Sequence, residues 1–178
     1  EGYNSRAVYK LKEIDEKFKI FKNGNSIIDL GAAPGSWSQY VSKKVKHAKI
    51  LSIDLLDFEK IENICQIKGD FTDDVSKKKI KDYFYSKVDV VMSDMAVNTT
   101  GNKNLDSINT SELCIEAMNF SKEVLKEDGK FISKIFMGST FNEIIHESKK
   151  IFKENKVFKP AASRKDSKES FIICKFLR

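Results

Sequence analysis

The sequence predicts an α/β protein: a mostly parallel sheet of seven strands covered by helices, with a nucleotide-type ligand at the end of its first strand. Three observations carry this. Ser26 to Tyr40 runs from an apolar strand (Ile27, Ile28, Leu30) through Gly31-Ala32-Ala33-Pro34-Gly35 into a helix near Trp37. Further short apolar runs then alternate with segments of helical period. The last two runs have no helix between them, as in an antiparallel hairpin closing a sheet. In open α/β sheets ligands sit beyond the carboxyl ends of strands, and glycines at the first strand-to-helix turn let the backbone approach closely. Gly31 and Gly35 supply that freedom, and Asp29 stands just before the turn.

Taken in order, Ala7, Leu11, Ile14 and Phe18 fall at helical spacing, with Ser5 as the expected N-cap and Asn23-Gly24 as the stop. Lys10 lies beside this stripe; on spacing alone it is a lysine laying its stem on the core. After the turn, a helix from Trp37 to about Lys46 leads into a second strand, Lys49 to Asp54. Strand, helix, strand with a terminal carboxylate is a right-handed crossover with a ribose acceptor in place. The turn is not Gly-x-Gly-x-x-Gly, however, and Pro34 removes an N–H that a pyrophosphate would use, which favours a nucleoside without a diphosphate over NAD.

A third strand, Ile64 to Lys68, ends in Gly69-Asp70-Phe71, a carboxylate for an exocyclic amine and a ring for a base. Lys77-Lys78-Lys79 opens a helix to about Tyr85. Strand four, Val88 to Met92, runs into Ser93-Asp94-Met95-Ala96 and puts Asp94 at a central carboxyl end. Thr99 to Asp106 reads as a loop over the site. The helix after it carries Leu113, Ala117, Phe120 and Val124 and ends at Asp128-Gly129. Strand five, Lys130 to Phe136, sets Lys134 among apolar neighbours, where a lysine is costly unless it pairs or reaches the strand end. A helix from Thr140 to Phe152 precedes the closing strands, Lys156 to Pro160 and Ser170 to Phe176, joined by a cationic loop with Arg164, Lys165 and Lys168.

One domain over residues 1–178 is expected from 178 residues with 40% hydrophobic content. The charge of +6 and a pI near 9.1 favour a polyanionic partner, although a solvated basic surface has the same composition. Cys65, Cys114 and Cys174 lie apart in apolar runs and read as core residues. His47 and His146 have no second ligand at metal spacing, so no metal site is expected, and a Ser-His-Asp hydrolase has little to build on. No apolar run has the length of a membrane span, so no membrane partner is expected. The chain begins Glu1-Gly2, without Met. A targeting segment can therefore precede it, and both cytoplasm and mitochondrion stay open.

Five segments together, Ser5-Arg6-Ala7-Val8-Tyr9-Lys10-Leu11, Asp29 to Gln39, Ser93 to Ala96, Lys134-Ile135-Phe136 and Ser167 to Ser170, resemble the FtsJ/RrmJ family of ribose 2'-O-methyltransferases. The resemblance covers essentially the whole chain. It implies a Rossmann-like S-adenosylmethionine-dependent methyltransferase fold, seven-stranded with the last strand antiparallel. It also implies a catalytic tetrad at Lys10, Asp94, Lys134 and Glu169. For S-adenosyl-L-methionine it places the methionine part near Gly35, Trp37 and Asp94, the ribose near Asp54 and the adenine near Asp70. Asp29, Gly31, Pro34, Ser36, Leu55 and Phe71 complete the expected cofactor contacts. Arg6, Arg164, Lys165 and Lys168 are the expected RNA contacts.

The implied activity is 2'-O-methylation of RNA, with a uridine of large-subunit ribosomal RNA in a ribonucleoprotein as the expected substrate, and a monomer is expected. Transfer RNA or an mRNA cap, or a non-catalytic RNA-binding relative, are the alternatives; an NAD-type oxidoreductase or a small-molecule methyltransferase could use the same sheet. Two departures from the family pattern are Ser36, where Gly is common, and Val97, where Pro is common.

Overall fold

Runs rich in Ile, Val and Leu form the central strands, and their residues alternate between two apolar layers. The computed structural model describes residues 2–3, 5–95 and 100–178. Among these the elements are α1 (Val8–Phe18), β1 (Ser26–Leu30), α2 (Ser36–Lys44), β2 (Lys49–Asp54), β3 (Ile64–Lys68), α3 (Asp74–Phe84), β4 (Val88–Ser93), α4 (Lys103–Val124), β5 (Leu125–Phe136), α5 (Phe141–Ile151), β6 (Phe152–Phe158) and β7 (Glu169–Leu177).

The seven strands lie in the order β3-β2-β1-β4-β5-β7-β6. β1 to β5 are parallel, and β7 runs antiparallel to both β5 and β6. The fold is therefore the expected mostly parallel seven-stranded sheet. Strand order reverses between β1 and β4, which opens a crevice at their carboxyl ends, where Gly31 and Asp94 stand.

One face of the sheet, with Ile27, Met92, Ile132 and Phe171, packs against Leu11 and Ile14 of α1 and Trp37 and Val41 of α2. The other, with Ile28, Val91, Phe131 and Ile172, packs against α3, α4 and α5 through Ile80, Phe120 and Ile144. Burial on both faces explains why apolar residues stand at adjacent positions in β1 (Ile27, Ile28) and in β4 (Val90, Val91, Met92).

Several boundaries differ from those the sequence suggests. α1 stops at Phe18, five residues before Asn23, because Lys19 turns left-handed. The buried Asp15 carboxylate accepts Ile20 N–H and Phe21 N–H, while Lys130 Nζ donates to the carbonyls of Lys19 and Ile20. At its start the cap residue is Ala7 rather than Ser5, whose hydroxyl accepts Ala7 N–H at 3.3 Å. α3 begins earlier than the lysine run, with Asp73 accepting Ser76 N–H at 2.7 Å as N-cap.

α4 takes in Lys103 to Asp106, expected as loop, because Asn102 caps it through Asn104 N–H and Leu105 N–H. Ala96, Val97 and Thr99 lie outside the described residues. β5 starts at Leu125; its register against β4 shifts between Val88 and Val90, so Asp128-Gly129 lies within an irregular stretch. β6 starts at Phe152, four residues earlier than expected, with Phe152 paired to Leu177. No helix among the described residues is long and apolar enough to cross a membrane.

Candidate active site

Register brings the four tetrad positions to one place. Ser93 of β4 pairs with Ser133 of β5, so Asp94 and Lys134 follow side by side. Lys134 pairs with Phe171 of β7, and Glu169 lies two residues from Phe171 on the same face. That face is covered by α1, which carries Lys10. The result is a row of alternating charge. Lys10 Nζ donates to Glu169 Oε1, Glu169 Oε2 lies 3.6 Å from Lys134 Nζ, and Lys134 Nζ lies 3.1 Å from Asp94 Oδ1.

All four side chains are at most 23% exposed, so these contacts are shielded from water. Apart from Lys134, Asp94 Oδ1 is buried without a hydrogen-bond donor among the described residues. Burial pushes the Asp94 carboxyl up, and Lys134 only partly offsets it. For Lys134, burial alone lowers the pKa, but Asp94 and Glu169 outweigh it and hold the ammonium above the ordinary lysine value.

Two cavities meet at this row. The first, about 620 Å³, lies at the β1/β4 crevice and is lined by Gly31, Asp54, Leu55, Asp70, Phe71 and Asp94, all expected contacts. Ile53, Leu56, Met95 and Leu113 add apolar wall that sequence reasoning did not assign to the site. Leu55 and Leu56 are 64% and 68% exposed. Two adjacent leucines left in water at a strand end are the signal that could have marked Leu56. Among the described residues, three carboxylates and no lysine or arginine line this cavity. Such a wall repels a diphosphate and suits an uncharged nucleoside joined to cationic groups, which is the chemistry of S-adenosylmethionine.

The turn over this cavity is held by Asp54, which accepts Ala33 N–H at 2.9 Å and Leu56 N–H at 2.8 Å. Gly31, with φ +67°, has no room for a side chain: a Cβ would fall 1.9 Å from Met95 Cγ. Asp70 accepts Thr72 N–H and the Thr72 hydroxyl on one oxygen. Phe71 is 4% exposed and packs on Phe120 with ring centroids 6.4 Å apart, so its ring is committed to the core rather than offered as a stacking platform.

Five further expected cofactor contacts are not among the described residues that line this cavity. Trp37 is buried against Phe171, its indole N–H given to Ala7 O at 3.0 Å, and it joins α2 to the start of α1. The Ser36 and Ser5 hydroxyls bond to each other at 2.8 Å. Gly35 is the left-handed cap of α2, packed so that a Cβ would lie 2.8 Å from Ile61 Cδ1. Pro34 lines a separate adjoining cavity with Leu56 and Phe58. Asp29 lies beneath the turn, fully buried, accepting from the Ser38 hydroxyl at 2.6 Å. Burial raises its pKa to about 7, the Ser38 bond lowers it in part, and Asp94 and Asp54 push it up further.

The second cavity, about 480 Å³, lies between α1 and the β6–β7 loop, on the other side of the row. Arg6, Tyr9, Lys10, Arg164 and Glu169 line it. Its wall is cationic where the first is acidic. Lys165 and Lys168 are exposed on the same loop but do not line it.

Comparison with known proteins places this geometry. The profile of the FtsJ-like methyltransferase family matches residues 3–177. The chain belongs to that family. As an FtsJ-like methyltransferase it is 68% identical over 178 residues to the ribosomal RNA large subunit methyltransferase E of Pelagibacter ubique, covering all of this chain and 88% of that one. Among solved structures, a ribosomal RNA methyltransferase from Plasmodium falciparum superposes with a TM-score of 0.86 at 32% identity, covering 98% of both chains. Human methyltransferase-like protein 13, solved in complex with SAH, shares the fold at a TM-score of 0.69 and 14% identity, over 94% of this chain and 82% of that one. The chain is a methyltransferase with the seven-stranded fold of that class.

Proposed function

We propose that this methyltransferase transfers a methyl group from S-adenosyl-L-methionine to the 2'-hydroxyl of a ribose, a uridine of large-subunit ribosomal RNA, working as a monomer. One observation carries the reading: an acidic, partly apolar cavity and a basic cavity, each suited to one substrate, abut at a single row of Lys10, Glu169, Lys134 and Asp94. All four come from one chain. The substrate class is supported by the similarity to the Pelagibacter ribosomal RNA large subunit methyltransferase E, and that bacterial source favours the cytoplasm.

In the acidic cavity, Asp54 and Asp70 would accept from the ribose hydroxyls and the adenine amine, and Leu55 and Leu56 would cover the base. When bound, the cofactor supplies a sulfonium methyl carbon as electrophile. The chain's own work is to make the ribose oxygen a nucleophile and to aim it. A hydroxyl reacts poorly until its proton leaves, and Lys134 Nζ is placed to take it once neutral. In the free protein Asp94 and Glu169 hold Nζ charged, and a cationic ligand in the neighbouring cavity would shift that balance toward the neutral amine. Glu169 orients both lysines, and Lys10 is left to hold the ribose oxygen. Much of the acceleration would come from this positioning.

The test is methyl transfer from labelled S-adenosylmethionine to total RNA and to large ribosomal subunits lacking the modification, followed by mapping of the 2'-O-methyl site. Label on a large-subunit ribosomal ribose is expected. Label confined to transfer RNA or mRNA caps would overturn the substrate assignment.

A further inference from the structure

The loop between β6 and β7 carries Arg164 into the basic cavity and ends at Glu169, so its position sets the shape of that cavity. Its own hydrogen bonds are short turns: Ser163 N–H to Pro160 O and Ser167 N–H to Arg164 O. Lys159 ties it to β6 by donating to the carbonyls of Lys165 and Ser167. On the α1 side a carboxylate takes two adjacent backbone donors. Glu13 Oε2 accepts Ala161 N–H at 2.7 Å and Glu13 Oε1 accepts Ala162 N–H at 2.8 Å.

Glu13 lies one helical turn from Lys10 and Tyr9, so the residue that fastens the loop sits on the same helix as the opposite wall of the cavity. Arg6 and Arg164 therefore face the cavity from two segments joined through Glu13, and Tyr9, 37% exposed, lines it with them. A cavity of about 480 Å³ with two guanidinium groups and one phenol ring has the size and chemistry for a single nucleotide, its phosphates at the arginines and its base against the ring.

We infer that Glu13 is a positioning residue for the RNA: by holding Ala161 and Ala162 it latches the β6–β7 loop to α1 and so sets the Arg6–Arg164 gap that receives the acceptor nucleotide. This rests on the methyltransferase reading given above. Glu13 touches neither reacting group; it acts through Arg164. A charged acceptor with two well-placed donors is stronger than a neutral one, and a carboxamide offers one acceptor oxygen in place of two.

The test uses the full chain with Glu13→Ala and Glu13→Gln, unmodified large ribosomal subunits as substrate and labelled S-adenosylmethionine. For Glu13→Ala the KM for subunits is expected to rise about tenfold, with kcat at saturating substrate within about threefold of wild type; Glu13→Gln should fall between. Cofactor affinity should stay unchanged in both. Because Glu13 is proposed to act through Arg164, the KM effects of Glu13→Ala and Arg164→Ala should be non-additive in the double variant.

Amide hydrogen exchange, which needs no RNA, should speed up at Ala161 and Ala162 in Glu13→Ala. Unchanged exchange, an unchanged KM, or additive KM effects with Arg164→Ala would each overturn the latch while leaving the functional reading standing. A wild-type enzyme that methylates no RNA would overturn both.

Discussion

Lys134 Nζ stands 3.1 Å from Asp94 Oδ1, at the carboxyl ends of two neighbouring parallel strands and nearly out of water. A lysine held this way keeps its proton more firmly than a free one, because the attraction of Asp94 and Glu169 exceeds the cost of burying the ammonium. A base must give that proton up before it can work, so the ion pair sets the pH at which catalysis begins.

The rate of methyl transfer should therefore rise with pH well into the alkaline range. A lysine base whose pKa is raised is mostly protonated at neutral pH, and each pH unit below its pKa costs about tenfold in the neutral form. Asp94→Asn removes the charge that raises it and should move the rise to lower pH. The pH dependence of kcat/KM for the cofactor, which reports the free enzyme, would check it; a profile flat from neutral to alkaline pH excludes Lys134 as the base.

Lys134→Ala should lower methyl transfer by about a hundredfold or more, the usual contribution of a positioned base, and leave cofactor binding, measured by calorimetry, nearly intact. Lys134 is not among the residues lining the acidic cavity. The same variant leaves Asp94 and Glu169 partly buried beside a lost cation, so the melting temperature should fall as well. A variant that methylates at the normal rate would remove Lys134 from the mechanism.

Asp29 offers a test of stability against pH. Its folded pKa is raised to about 7 from an unfolded value of 3.8, with burial as the leading cause. For a raised carboxyl, the favourable contribution is fully present below the unfolded value and is lost as pH climbs through the folded one. Asp29→Asn does not titrate, so its stability relative to wild type should grow between those two pH values by up to about 4 kcal/mol and then level off. Urea unfolding at a series of pH values would read this; a difference independent of pH would contradict it.

Gly31→Ala should cost both stability and cofactor affinity. The residue sits at φ +67°, and a Cβ there meets Met95 Cγ at 1.9 Å. Left-handed strain in a non-glycine residue is worth about 1–3 kcal/mol, before Met95 is displaced from the cavity wall. Thermal melting and cofactor titration should both register it; a variant matching wild type in each would mean the turn can re-form without its glycine.

The order of the elements was legible because it is written locally. Apolar runs of strand length, helical stripes and turn residues each report on their own neighbours, and the helix-free spacing before Ser170 was enough to predict the β6–β7 hairpin. Lys134 was legible for a related reason: a cation inside an apolar strand demands a partner, although the strand does not say which. Trp37 shows the limit. Its place beside the glycine turn suggests a ligand contact, whereas its indole N–H is taken by Ala7, thirty positions away in sequence.

By itself the sequence determined the α/β class, the glycine turn over an acidic strand end and, through five segments in order, the family. Tertiary structure decided what depends on groups far apart in the chain: that α1 ends at Phe18 because Asp15 and Lys130 satisfy the backbone after it, and that the net shift of Lys134 is upward. It also decided that Glu13 meets Ala161 and Ala162 across separations of 148 and 149 residues. The reason is physical. Periodicity and turn chemistry act within a few residues, but the energy of a charge depends on what folding brings within a few ångströms of it.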